Sequence, residues 1–389
     1  MPPERAILAA EEHGHTPSVR IPSSHLPPIL TLLLIAASPG ACRPAPVAPP
    51  FRTSQVESTF PSPPRIARET AGQLTQVATI EDGAGYGPVL ALAVTPGTGD
   101  VLVVTRGDGT LRRYDGATWT LVSAFPLGIA EAGPAAFDKA GDALIAARVI
   151  EENLALESWQ ARIGDIAIWN ATTGDLVHCV DTRCHRGDAY PAGDLGAALD
   201  SDGSHWLVFG EGSYSVGTPN SSVAVILNSP ESDINTWTRL GQAAIDSEGH
   251  RVAAASVDGE VQIRGGPPYL GVELPHRGQG NVSALSFSPD GAFLARIWNG
   301  ELAVWRMGLL RGRLVLDADA AMANSLSWSS DGRLLYVAGG NEIAVWDTGN
   351  WSEVTTVAAP SLEVVAPSPD DTLLLWGDSE GIVHILRPH

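Results

Sequence analysis

Two cysteines stand close together in this 389-residue chain, each beside a histidine: His178-Cys179 and Cys184-His185. Two thiolates and two imidazoles are the donor types of a tetrahedral zinc site, but adjacent pairs of this kind rarely converge on one ion. In an oxidising compartment, Cys179 and Cys184 form a small local disulfide instead. Asp-rich stretches such as Asp200-Ser201-Asp202-Gly203 carry donors suited to calcium. They fall where a hairpin needs its first turn, and turn chemistry accounts for them. No metal and no cofactor is assigned.

The elements around these residues are short strands. Residues 324–347 contain three of them, Ser325 to Trp328, Arg333 to Ala338 and Glu342 to Trp346, separated by Ser330-Asp331-Gly332 and Gly339-Gly340-Asn341. Both separators are hairpin chemistry. Three strands cannot bury two faces alone, so a piece like this must pack against copies of itself. The copies are present: Ser283 to Trp305, Val364 to Leu386, Ala243 to Arg264 and Leu90 to Asp115, with two more, Pro134 to Asn170 and Leu195 to Ile226, that carry insertions. Their first-turn positions, Gly99, Gly141, Gly203, Gly249, Gly291, Gly332 and Asp371, recur at steps of 42, 62, 46, 42, 41 and 39 residues, and a period near forty is that of a four-stranded propeller blade. The last unit ends after three strands, and an unassigned run, Leu74 to Ile80, precedes the first. The expected fold is all-β, a seven-bladed β-propeller closed by the N-terminal strand completing the last blade.

At Trp346-Asp347, and across Leu274 to Gly291, the sequence resembles the WD-repeat family. His276 stands where that family has the His of its Gly-His pair, with Pro275 in place of Gly. The resemblance spans residues 74 to 387 and implies a WD-repeat-like ring. Trp169 is followed by Asn and Trp305 by Arg, so the family's buried hydrogen-bond network is incomplete here. The stretch CVDTRCH also resembles a widened c-type haem attachment motif, a third reading of Cys179 and Cys184.

Ahead of the ring, Ile29 to Ala37 is an apolar run of nine, too short to span a bilayer, followed by Ser38-Pro39-Gly40-Ala41 and Cys42. This pattern resembles a bacterial lipoprotein signal, which implies lipidation at Cys42. Glu4, Glu11 and Glu12 suit no signal, and a start near Val19 gives a leader with Arg20 as its positive region. The expected organisation is a leader over 1–41, a Pro-rich disordered tether over 42–71 and the propeller over 72–389. The protein is then exported, periplasmic or at the cell surface, and lipid-anchored.

The chain has 24 basic against 44 acidic side chains, a net charge of -20, and Lys139 is its only lysine. Nucleic acid binding needs clustered Lys and Arg and is excluded as the leading class. Membrane contact runs only through the lipidated N-terminus, and the propeller is expected to be monomeric.

The inner strands read LALAV, PAAF, LGAAL, QAAI, SALSF, NSLSW and EVV, with no His and only Glu363 as a carboxylate. No acid-base pair and no ring of ligands is visible, so the chain is read as no enzyme. The rival is a propeller hydrolase or dehydrogenase acting on a small lactone or sugar, with a metal at the channel mouth. Three loops on one face look enlarged: Val149 to Gly164, Asp181 to Gly193 and Glu211 to Ser222. They carry Glu151, Glu152, Trp159, Arg162, Arg183, His185, Tyr190 and Tyr214, aromatic anchors and charges suited to a protein partner. The expected function is a noncatalytic extracytoplasmic scaffold that binds a protein through these loops of units two and three.

Overall fold

The computed structural model describes residues 64–127, 135–139, 141–152, 162–180, 196–200, 205–210, 213–217, 225–226, 240–256, 261–265, 272–274, 282–308, 313–316 and 323–389. They belong to one compact unit, residues 60–389. Their strands form seven four-stranded antiparallel sheets.

In chain order the strands of blade 1 are β2 (Val89–Val94), β3 (Val101–Thr105), β4 (Thr110–Tyr114) and β5 (Leu121–Pro126), preceded in the chain by β1 (Leu74–Ile80). Blade 2 holds β6 (Ala135–Phe137), β7 (Ala143–Glu152), β8 (Arg162–Asn170) and β9 (Leu176–Val180). Blade 3 holds β10 (Gly196–Leu199), β11 (Trp206–Gly210), β12 (Ser213–Gly217) and β13 (Val225–Ile226); blade 4 holds β14 (Leu240–Ile245), β15 (Val252–Ser256), β16 (Val261–Arg264) and β17 (Val272–Leu274). Blade 5 comprises β18 (Val282–Phe287), β19 (Phe293–Trp298), β20 (Glu301–Arg306) and β21 (Arg313–Leu316), and blade 6 β22 (Ala323–Trp328), β23 (Leu334–Gly339), β24 (Glu342–Asp347) and β25 (Ser352–Ala358). The last sheet runs β26 (Leu362–Pro367), β27 (Leu374–Asp378), β28 (Val383–Pro388) and then β1. The inner strands β2, β6, β10, β14, β18, β22 and β26 each touch the next, and β26 returns to β2. The sheets therefore stand around a channel.

Sequence pattern explains which strand sits where. Second strands such as Val101–Thr105 and Leu374–Asp378 are buried at every position, as a strand covered on both faces must be. Outer strands alternate, β5 reading exposed at four of six positions, because only one face meets a neighbour. The core is correspondingly divided into wedges between blades. Val94, Val103 and Tyr114 of blade 1 pack with Leu375 and Ile385 of the last sheet, and Leu102 and Leu111 pack with Leu144 and Trp169 of blade 2. A single sheet removed from this ring would lose both of its wedges.

Strand β1 pairs antiparallel with β28 from Leu74 opposite Pro388 to Ile80 opposite Val383, covering an otherwise open edge. The residues just ahead of it are held as well. Ile66 and Ala71 are buried in the wedge between blade 6 and the last sheet, and Arg68 pairs with Asp347 at 3.0 Å.

Blade 3 corrects the reading of the third unit. Its third strand is Ser213–Gly217, paired with β11 so that Tyr214 lies opposite Phe209, and Val225–Ile226 is the fourth. Residues 213–217 of the segment read as an enlarged loop over 211–222 are therefore a strand.

Candidate functional site

One backbone device recurs where each inner strand turns into its second strand. The residue after the inner strand donates its N–H to the carbonyl five residues on, and its side-chain oxygen accepts that residue's N–H. The pairs are Thr95 with Asp100, Asp138 with Ala143, Asp200 with His205, Asp246 with Arg251, Ser288 with Phe293, Ser329 with Leu334 and Ser368 with Leu373. A short polar side chain is required because it must replace a ladder acceptor inside a tight turn. Where the residue is Ser, its hydroxyl also donates to an aspartate two residues on: Asp290, Asp331 or Asp370. That is the physical content of the Ser-Pro-Asp-Gly and Ser-Ser-Asp-Gly turns.

These turns surround a cavity of about 350 Å³ at the channel mouth, lined from every inner strand and including Asp138, Lys139, Ser247, Ser327, Trp328 and Ser330. In three blades the turn residue is Asp, which brings a second oxygen with it. Asp200 Oδ2 meets His205 Nδ1 at 2.6 Å, and Asp246 Oδ2 accepts from Arg251 Nε at 2.6 Å. Asp138 accepts from Asp142 N–H at 2.8 Å and from Ala143 N–H at 3.1 Å through Oδ1 alone. Its Oδ2 is buried without a hydrogen-bond partner among the described residues, and the residue is only 3% exposed. Burial pushes its carboxyl up to about 6, against the opposing pull of the backbone donors, with the charge of Asp142 adding to the rise.

Lys139 extends from blade 2 across the mouth, its Nζ donating to the Ser330 carbonyl of blade 6 at 3.1 Å. Burial holds its amine below the usual lysine range, while Asp371 and Asp331 pull it back up. Ser330 is tied to Asp371 through both N–H and hydroxyl. Asp371 itself adopts φ 57°, at the turn position where Gly99, Gly141, Gly249, Gly291 and Gly332 all have positive φ. An aspartate tolerates this region better than most residues, and here its side chain joins two blades.

The lining carries two carboxyls, Asp138 and Asp200, and one amine, Lys139, whose hydrogen bond goes to the Ser330 carbonyl. No group of three His, Cys, Asp or Glu that could hold a metal occurs among the described residues.

The residues singled out from the sequence are placed elsewhere. Glu151 and Glu152 end β7, and Arg162 starts β8, with Glu151 opposite Ile163 and Glu152 opposite Arg162. This hairpin, joining second to third strand, opens on the face opposite the Asp138 turn. The two ends of the loop expected over 149–164 are thus paired as a ribbon, and 153–161 lie outside the described residues. Tyr214 is in β12, apart from that ribbon's ladder. Cys179 is in β9, opposite Ala167. Trp159, Arg183, Cys184, His185, Tyr190, His276 and Cys42 lie outside the described residues.

Sequence reasoning missed Asp138 and Lys139. It searched the inner strands for carboxylates, whereas these stand one and two residues past a strand end. Aligning the units on their turns would have shown Asp138, Asp200 and Asp246 in register, with Ala143 where His205 and Arg251 stand.

Four-stranded sheets ranged around a channel define a β-propeller. A family model described as WD domain, G-beta repeat matches residues 315–347, which run from the end of β21 through β24. This confines the family match to one repeat, where the sequence reading had extended the resemblance over residues 74 to 387. A search of curated proteins finds no match to this chain. The leader read over 1–41, with its lipoprotein-type signal and Cys42, lies outside the described residues, and the family match at 315–347 does not reach it. Propellers of the WD class act generally as protein-interaction scaffolds and are generally noncatalytic.

Proposed function

We propose that this chain is a noncatalytic scaffold that docks a protein partner on the ribbon formed by β7 and β8. The observation that carries this reading is the length of that ribbon. Its ladder has nine paired positions, against six in the corresponding hairpins of blades 5 and 6. The excess projects about 10 Å beyond what ring closure needs, at about 3.3 Å per residue. A projection that the fold does not require is a natural place for recognition, and the last paired positions of its ladder are residues of both charge signs, Glu151, Glu152 and Arg162.

Support also comes from the ring itself. Apolar wedges between neighbouring sheets give a rigid mount, so binding loses little to ordering the scaffold. The test replaces residues 150–163 by an Asn-Gly turn and compares affinity purification from the native host with the intact protein. A partner retained by the intact chain and lost with the shortened ribbon, at unchanged thermal stability, is the expected result. Full retention overturns the assignment of this face. The double variant Trp159→Ala, Tyr190→Ala tests the aromatic residues of the same two units.

A further inference from the structure

We propose that the channel mouth beside blade 2 is a binding site for an arginine side chain of a basic partner peptide, with Asp138 Oδ2 accepting from its guanidinium. The inference comes from comparing equivalent positions around the ring. In blades 3 and 4 the turn carboxylate spends one oxygen on the backbone and the other on a basic side chain five residues on, His205 or Arg251. In blade 2 the first half of this arrangement is intact, since Asp138 Oδ1 accepts from Ala143 N–H. The second half is missing its cation, because position 143 is alanine. A residue 3% exposed is left with an unpartnered carboxylate oxygen, and it lines the cavity.

A buried carboxylate oxygen without a donor is costly, and the fold shows in Arg251 what satisfies it. A guanidinium is the matching group: it is planar, always charged and presents several donors in a fixed fork. The chain's own nearest amine is occupied elsewhere, since Lys139 crosses the mouth to Ser330. The surroundings favour a basic visitor. Asp142, Glu248, Asp290, Asp331 and Asp370 are exposed on the turns around this mouth, in a chain of net charge -20. The site lies on the opposite face from the β7–β8 ribbon and does not depend on it.

The test is calorimetric titration of the full chain with the peptide acetyl-Ala-Arg-Ala-amide and its citrulline counterpart, which keeps the shape and removes the charge. The arginine peptide is expected to bind and the citrulline peptide to bind at least tenfold more weakly. Ala143→Arg supplies the cation from within, as Arg251 does, and is expected to weaken binding at least tenfold. Asp138→Ser keeps the turn acceptor used by blades 5 and 6 and is expected to do the same, which keeps the test decisive if the arginine variant folds poorly. Glu342→Gln, an exposed carboxylate at the start of β24 in the β23–β24 hairpin on the other face, is expected to leave binding within twofold. Equal binding to the intact chain and to Asp138→Ser, equal binding of the citrulline peptide, or no binding to the intact chain at millimolar peptide overturns the proposal. The ribbon-shortened chain binds the peptide as the intact chain does if this site is real, whatever becomes of the partner reading.

Discussion

Asp138 gives the most quantitative test of the turn device. Its carboxyl is raised from 3.8 to about 6 by burial, so the folded chain holds the proton more tightly than the unfolded chain does. Below pH 3.8 both states are protonated and no penalty exists. Between 3.8 and about 6 the unfolded aspartate ionises first, stability falls, and above about pH 6 the deficit is complete. A little over two pH units at about 1.36 kcal/mol each amounts to roughly 3 kcal/mol lost between acid and neutral solution. Asp138→Ser removes the charge and keeps an acceptor for the Ala143 N–H, as Ser288 and Ser329 do for Phe293 and Leu334. Urea unfolding followed by tryptophan fluorescence at pH 4.0, 5.0, 6.0 and 7.5 compares the two proteins, and contributions from the other carboxylates cancel in the difference. The stability difference in favour of the variant is expected to grow by about 2–3 kcal/mol between pH 4.0 and pH 7.5. Parallel curves across the whole range would show that the Asp138 carboxylate is not held unpartnered in the folded ring.

Ser329→Ala leaves the buried Leu334 N–H without its acceptor and is expected to cost about 1–3 kcal/mol, read as a fall in the urea midpoint. Asp371→Gly relieves the positive φ but removes both bonds to Ser330. Hydrogen bonds to a charged group outweigh the backbone relief, so a net loss of about 1–2 kcal/mol is expected by thermal unfolding. Deleting Leu74–Ile80 strips β1 from β28 and leaves an unpaired edge, so association beyond the state of the intact protein is expected in light scattering after gel filtration.

Local chemistry was legible in the sequence because a hairpin turn and a strand's burial pattern are written in adjacent residues. Gly99, Gly249, Gly291 and Gly332 sit at positive φ in the turns where the sequence put them, and the run Leu74 to Ile80 is a strand. The third blade was misread where this logic is weakest. Ser213–Gly217 is only five residues long, with Tyr214 and Val216 between small residues, and its pairing with β11 identifies it as a strand. The ends of the blade 2 ribbon were taken for a loop because Glu151 and Glu152 are weak strand formers, and only the partner strand opposite them continues the ladder.

What the sequence determined by itself is the repeating unit, because turn formers and apolar runs act within a few residues of one another. What tertiary structure alone decided is which polar groups go unanswered. Asp138, Asp200 and Asp246 are the same residue in the same turn; an alignment can set Ala143 against His205 and Arg251, but only the folded ring shows Asp138 Oδ2 buried without a partner among the described residues. A carboxylate's state is set by the dielectric and the donors that folding brings around it, and neither is a property of its own stretch of chain.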